Sequence, residues 1–320
     1  MMKWKTRLTE LLGIKKPIVQ GGLAYLAYHE LASAVSNAGG LGQLTAMSMD
    51  SETQLKKEIY LTRSLTDQPF GVNFAIGQHG RPFEHMLETA IQEGVEIISV
   101  TGGNPKPVFD MVRGTNVKVL VLTAGKRQAI KAEELGATAV MVVGQEGGGH
   151  LGKEDTGTMV LVPQVVDAVS IPVIASGGIG DGRGLMASLA LGAEGIEMGT
   201  RFIATKECTH AHDAYKQRLL QGSETDTLII KRSLGAPARV IRNVFAERIT
   251  EIEASNGGYD LLKEYISGEA NRKFIYEGKD EEGFAWAGQV MGAIHDVPSV
   301  HELFVRIDQE AKEIRMKWQL

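Results

Sequence analysis

Ala139-Val-Met-Val-Val143 runs straight into Gly144-Gln-Glu-Gly-Gly-Gly-His-Leu-Gly152. Five apolar residues without alternation read as a short strand buried on both faces, as in a parallel sheet. The glycines that follow let backbone N–H groups approach a ligand closely, and one histidine brings an imidazole to the same place. Comparable apolar runs lie at residues 17–21, 41–45, 70–75, 97–101, 117–122, 172–175 and 195–198, which makes eight with 139–143. Between them the spacing predicts helices over 28–37, 50–65, 83–92, 106–112, 126–135, 163–169 and 182–191. Regular strand–helix alternation is how a right-handed βα repeat reads in sequence, and eight repeats close a (β/α)8 (TIM) barrel, an α/β fold.

The barrel is expected over residues 1–220. Residues 221–297 break the rhythm: 228–230 and 237–241 read as short strands, 259–266 and 284–294 as helices. A smaller, mainly helical insertion over the barrel mouth follows from this. Ser299-x-x-Glu302 forms a capping box ahead of Val300, Leu303, Phe304, Ile307, Ala311 and Ile314 at helical spacing, so residues 298–320 are expected to return to the barrel as its last outer helix.

The chain has 320 residues, 43% hydrophobic and 23% charged, with a net charge of −5. No basic run offers a nucleic-acid footprint, so a small-molecule partner is expected. No apolar stretch is long enough for a membrane span and no signal-like segment opens the chain, which points to the cytoplasm. The single cysteine, Cys208, excludes an intrachain disulfide and cysteine-based metal sites, and reads as a structural residue. His210-x-His212 lacks a nearby third ligand and reads as surface, and His29, His79, His85, His295 and His301 have no motif around them. No metal site is expected.

Glycine is over-represented, 38 of 320 residues against a usual ~7%, and clusters where apolar runs stop. In such barrels chemistry sits at the C-terminal ends of the strands. There the sequence offers Gln20-Gly-Gly22, Asn73, Thr101-Gly-Gly-Asn104, Gln145 to His150, Ser176-Gly-Gly-Ile-Gly-Asp181 and Met198-Gly-Thr200. The loops at 176–182 and 199–200 match a phosphate-binding arrangement in which bare N–H groups and a helix N-terminus, near Gly182 with Asp181 as N-cap, face an anion. No Walker A motif and no G-x-G-x-x-G after the first strand is present.

Pro17-Ile-Val-Gln-Gly-Gly22, Ala38-Gly-Gly-Leu-Gly42, Pro69-Phe-Gly-Val-Asn73, Gly148-Gly-His150, Ser176-Gly-Gly178 and Met198-Gly-Thr-Arg-Phe202 resemble the nitronate monooxygenase (2-nitropropane dioxygenase) family. The framework is shared with the flavin-dependent enoyl-acyl-carrier-protein reductase of bacteria. The resemblance implies FMN across the barrel mouth, its phosphate on Ser176, Gly177, Gly178, Gly199 and Thr200. Gln20, Gly21, Gly22, Asn73 and Gly148 would hold the ring and ribityl chain, with Gly149 and Met198 in the same loops.

The stretches 17–73, 149–153 and Ala287-Gly-Gln-Val-Met-Gly292 look closer to the reductase. Gly147, Leu44-Thr-Ala-Met47 and Val100-Thr-Gly-Gly-Asn104 depart from its pattern. The resemblance implies oxidation of alkyl nitronates with O2 to a carbonyl compound and nitrite, with His150 as base toward a neutral nitroalkane or as a cation holding the nitronate. The alternatives are NAD(P)H-dependent reduction of an enoyl thioester, with His150 as a loop organiser, and a flavin-binding barrel acting as quinone reductase or sensor. Gln289 could reach the flavin from the lid, and aromatic faces near Tyr25 to Tyr28 would suit a homodimer.

Overall fold

The apolar runs form eight parallel strands that curl into a barrel, with helices in an outer layer. A computed structural model describes residues 3–77, 82–255 and 257–319; His79 lies outside them. In chain order the elements are α1 (Arg7–Leu12), β1 (Ile18–Gln20), α2 (His29–Asn37), β2 (Gly42–Thr45), α3 (Glu52–Leu65), β3 (Phe70–Ala75), α4 (Glu84–Gln92), β4 (Ile97–Thr101), α5 (Lys106–Val112), β5 (Lys118–Thr123), α6 (Lys126–Glu134), β6 (Ala139–Val143), β7 (Gly149–His150), α7 (Thr158–Val166), β8 (Val173–Ser176), α8 (Gly182–Ala190) and β9 (Gly195–Met198). They continue with α9 (Thr200–Ile203), α10 (Asp213–Gln221), β10 (Thr227–Ile230), β11 (Ala238–Ile241), α11 (Val244–Ala254), α12 (Tyr259–Leu262), α13 (Gly268–Glu277) and α14 (Val300–Trp318).

The barrel order is β1-β9-β8-β6-β5-β4-β3-β2, and a parallel bridge between Val19 and Leu41 closes it. Gln20 extends that one-bridge seam. Its Nε2 donates to the Gln43 carbonyl at 2.8 Å, its Oε1 accepts from the Gln43 N–H at 3.3 Å, and Gln43 Nε2 donates back to the Gln20 carbonyl at 2.6 Å. The expected (β/α)8 barrel is what forms, with the strands within a residue or two of the expected runs.

Side-chain alternation sorts the barrel interior into two levels. At the N-terminal end Val19, Leu41, Ile97, Leu120, Ala139, Met141 and Ile174 pack together with Leu8, Leu12 and Ile14, so α1 plugs that end. Two residues further along the strands, toward the mouth, the buried side chains turn polar: Gln43, Ser99 and Ser176, with Asn73 paired in register with Ser99 and Glu197 with Ser176. α14 packs along α8 and α2 and completes the outer layer. Its capping box between Ser299 and Glu302 is present.

Three expected helices are corrected. The helix expected over 163–169 begins at Thr158, with Pro163 inside it, because its first N–H is capped by the Glu146 carboxylate of another loop, at 2.9 Å. Residues 284–294 do not form an α-helix: Trp286 bridges Val240 in extended conformation and only residues 289–293 coil, as a 3-10 turn. Only Tyr259–Leu262 of the expected 259–266 helix is α-helical. A three-stranded sheet, β10-β11-β7, ties the segment after α10 to the loop that follows β6. That segment has a small core of Ile230, Ala238, Val240, Ala246, Ile249, Leu262, Ala270 and Phe284. It also shares the main core through Phe274, Ala285, Ala287 and Met291. Among the described residues no helix is long and apolar enough to cross a membrane.

Candidate active site

The glycine loops meet over the polar level of the barrel. Asn73 Nδ2 donates to Ser99 Oγ at 2.8 Å, which aims the amide at the loop after β1. A Cβ at Gly22 would stand 2.4 Å from Asn73 Oδ1, so the backbone of that loop can lie against the amide only without a side chain. Gln43 Oε1 and Thr45 Oγ1 are buried there with no partner. Orphaned buried acceptors are uncommon unless something else fills their valence. Glu197 joins this level, 6% exposed, with its Oε1 3.3 Å from where a Gly21 Cβ would be. Burial pushes its carboxyl up to about 7, against a smaller lowering by the Ser176 hydrogen bond.

The loops after β8 and β9 present backbone donors. Gly178 sits at φ +74, a conformation that L side chains avoid. Among the described residues, the N–H groups of Gly178, Ile179, Gly180, Thr200 and Arg201 donate to no protein acceptor. The start of α8 is different, and the expectation that it faces an anion is corrected. Asp181 accepts from Gly184 N at 2.9 Å and Glu310 from Gly182 N at 2.6 Å, so two carboxylates already occupy that helix end. Thr200 Oγ1 accepts from Gly288 N at 2.9 Å, which leaves its own proton to donate. A cavity of about 350 Å³ adjoins Gly178 and is lined also by Glu146, Glu224, Gln289 and Val290. Gln289 therefore borders the same cavity as the loop after β8.

The loop after β6 is held from several sides. Glu146 caps α7, Arg239 holds the Gln145 carbonyl at 2.9 Å, and Gln289 N donates to the Glu146 carbonyl at 2.9 Å. Gly148 lies directly on Ala287 and Gly288. His150 pairs in register with Ala238, its ring 5.6 Å from that of Trp286. Its Nε2 is 2.9 Å from Lys231 Nζ. Burial lowers the Lys231 ammonium to about 8, against a smaller opposing pull from Glu253.

The structure thus gathers Asn73, Gly21, Gly22, Ser176 and Glu197 at the mouth-side level, Gly177, Gly178, Gly199 and Thr200 on adjoining loops, and Gly148, Gly149 and His150 on the loop after β6. Met198 is different: it points outward into the packing against the helices. The Gln20 side chain is spent on the seam, leaving only its backbone toward the mouth. Sequence reasoning missed Glu197, although a carboxylate within Gly195-Ile-Glu-Met198 was a visible signal. It missed Lys231 and Trp286, which carry no local signal.

Three of the remaining histidines have other work. His210 stacks on Tyr28 at 4.1 Å, His212 caps α10 by accepting from Ala214 N at 3.1 Å, and His29 bonds Glu58 at 2.8 Å. Burial pushes the Cys208 thiol up to about 12, far from reactive. The aromatic face near Tyr25 to Tyr28 is covered within the chain: Tyr28 is buried, and Tyr25 packs edge-on to Tyr276 beneath Arg272.

Known proteins resemble the chain in sequence and fold. The family model described as nitronate monooxygenase matches residues 5–310. A probable nitronate monooxygenase of Staphylococcus saprophyticus is 32% identical, covering 98% of this chain and 99% of the relative. FabK from Thermotoga maritima superposes with a TM-score of 0.92 at 38% identity, over 98% of each chain. The nitroalkane oxidase of Streptomyces ansochromogenes gives 0.83 at 27% identity, over 98% of this chain and 100% of the other. The chain belongs to the nitronate monooxygenase family, a family of oxidoreductases.

Proposed function

We propose that the protein is an FMN-dependent nitronate monooxygenase, with residues 1–220 as the flavin-binding barrel, 221–297 as a substrate lid and 298–320 as a closing helix. The observation that carries the reading is the pair of adjoining loops, 176–180 and 199–201, with backbone N–H groups unspent beside a polar barrel level that has orphaned acceptors. Loop N–H groups at positive-φ glycines suit a phosphate, and the buried amides and hydroxyls suit a polyhydroxyl chain and a heteroaromatic edge. FMN, when bound, would supply hydride transfer and one-electron transfer to O2, which no side chain here can supply. Gly177, Gly178, Gly199 and Thr200 would hold its phosphate; Gly21, Gly22, Asn73 and Gly148 would hold the rest.

The chain's own contribution centres on His150. Its imidazole stands where a small organic anion would enter, beside Trp286. In a neutral nitroalkane the α-proton is acidic, and an imidazole nitrogen is suited to take it. In a preformed nitronate no proton needs moving, and the site has only to bind and orient the anion. The seating of residues 286–289 on the β6 loop helps to exclude water from the mouth.

The likeness to FabK, with a TM-score of 0.92 and 38% identity, favours one second reading, reduction of an enoyl thioester by NAD(P)H. Anaerobic stopped-flow absorbance of the purified protein separates the two. Bleaching of the flavin by propionate 3-nitronate and silence with NADH and NADPH support the monooxygenase. Fast bleaching by a nicotinamide and none by the nitronate overturn it in favour of the reductase.

A further inference from the structure

Lys231 ends β10 at φ +62, one of few non-glycine residues in the left-handed region among the described residues. A lysine is seldom held there, and the surrounding contacts fix it. Its N–H donates to Glu253 Oε2 at 2.9 Å, while Glu253 Oε1 takes the Ser233 N–H and hydroxyl at 2.8 and 2.7 Å. The carboxylate of α11 therefore organises the turn and makes no salt bridge with the Lys231 ammonium. The side chain instead folds back over the Trp286 ring, 5.6 Å from its centroid, and ends at His150 Nε2. Other charges around this turn are committed or set back: Arg232 pairs with Asp155 at 2.8 Å, Arg239 holds Gln145 and Thr227, and Lys153 lies over Gly235.

The result is a cation at the mouth with no carboxylate partner, with N–H donors beyond the one aimed at the imidazole, resting on an aromatic face. Resting on the nitronate-oxidising reading above, we propose that Lys231 binds the substrate, its ammonium taking the anionic oxygens of the nitronate. In donating to His150 Nε2 it holds that imidazole neutral, with the proton on Nδ1. An ammonium 2.9 Å away disfavours a second positive charge on the ring. The positive charge that binds the anion is thus the lysine's, and His150 stays available as a base once substrate displaces the lysine from Nε2.

The test compares wild type with Lys231→Met and Lys231→Arg in two ways. The first is steady-state oxidation of propyl-1-nitronate across pH 6–10; the second is titration with propionate, an unreactive planar anion, followed by tryptophan fluorescence. Lys231→Met is expected to raise KM and the propionate Kd by about tenfold or more, with kcat within about twofold, since it removes binding shared by ground and transition states. Lys231→Arg keeps the charge and is expected to retain most of the propionate affinity. Wild-type KM is expected to rise as the lysine deprotonates in alkaline solution, and Lys231→Met to lose that rise. Unchanged KM and propionate affinity in Lys231→Met overturn the assignment, as does an equal loss in both variants. If the wild type fails to oxidise the nitronate, the functional reading falls, and the propionate titration alone decides on Lys231.

Discussion

Replacing Glu197 by Gln should stabilise the protein, increasingly so as the pH rises from 4.5 to about 7. The side chain is 6% exposed, inside the barrel at its polar level, with burial raising its carboxyl from 4.5 to about 7. Its folded pKa lies above its unfolded one, so the group disfavours the folded state once ionised. Below pH 4.5 it is protonated in both states and contributes no penalty. Between 4.5 and about 7 the folded state binds more protons, and stability falls as pH rises; above about 7 the whole penalty is in place. At 1.36 kcal/mol for each tenfold change, that penalty is about 3 kcal/mol. Glutamine keeps the shape and cannot ionise. Urea unfolding at pH 5, 6, 7 and 8 should show the variant's advantage growing from about 1 to about 3 kcal/mol, as a shift of midpoint at constant slope. A difference that stays flat across this range would mean that Glu197 is ionised throughout, and would refute the account of a buried carboxyl with no cationic partner.

Three further outcomes are expected. His150→Ala should keep its flavin yet lose about 10²-fold or more in turnover of neutral nitroalkane; unchanged rates would remove the base from the scheme. Gly178→Asp places a carboxylate on the loop beside Glu146, at a φ of +74, and should purify colourless; a yellow preparation with full flavin content would refute the phosphate loop. Gly22→Ala drives a methyl group into the Asn73 amide and should cost about 1–3 kcal/mol in urea unfolding while weakening flavin binding in a fluorescence titration. A variant as stable and as tightly bound as wild type would show that loop and amide are not in contact.

The barrel was legible because strands buried on both faces leave uninterrupted apolar runs that recur at regular spacing between helical patterns. Legibility failed where the deciding partner was distant in sequence. α7 starts at Thr158 because Glu146 caps it from the loop before, and residues 284–288 are extended because Trp286 finds Val240 as a strand partner. Their apolar spacing alone is equally compatible with helix. α11 and α13, with Asn243 and Ser267 as caps, went unread, although both caps are of the residue types that start helices. At the site, glycines and His150 announced themselves through composition. Lys231 is set apart only by a fold that carries it 81 residues back to His150, and in sequence it is one lysine after an apolar run.

Barrel geometry has few free variables: with eight strands, the stagger accumulated around the circle sets both tilt and diameter. That stagger is fixed where the last gap closes. Here the gap is spanned by one backbone bridge and by two glutamines that each read the other's main chain, one of them gripping both the N–H and the C=O of a single residue. A slip of one position would leave those amides facing the wrong groups. The width of the mouth, and so the size of what can lie across it, is therefore written in a pair of amide side chains at the join.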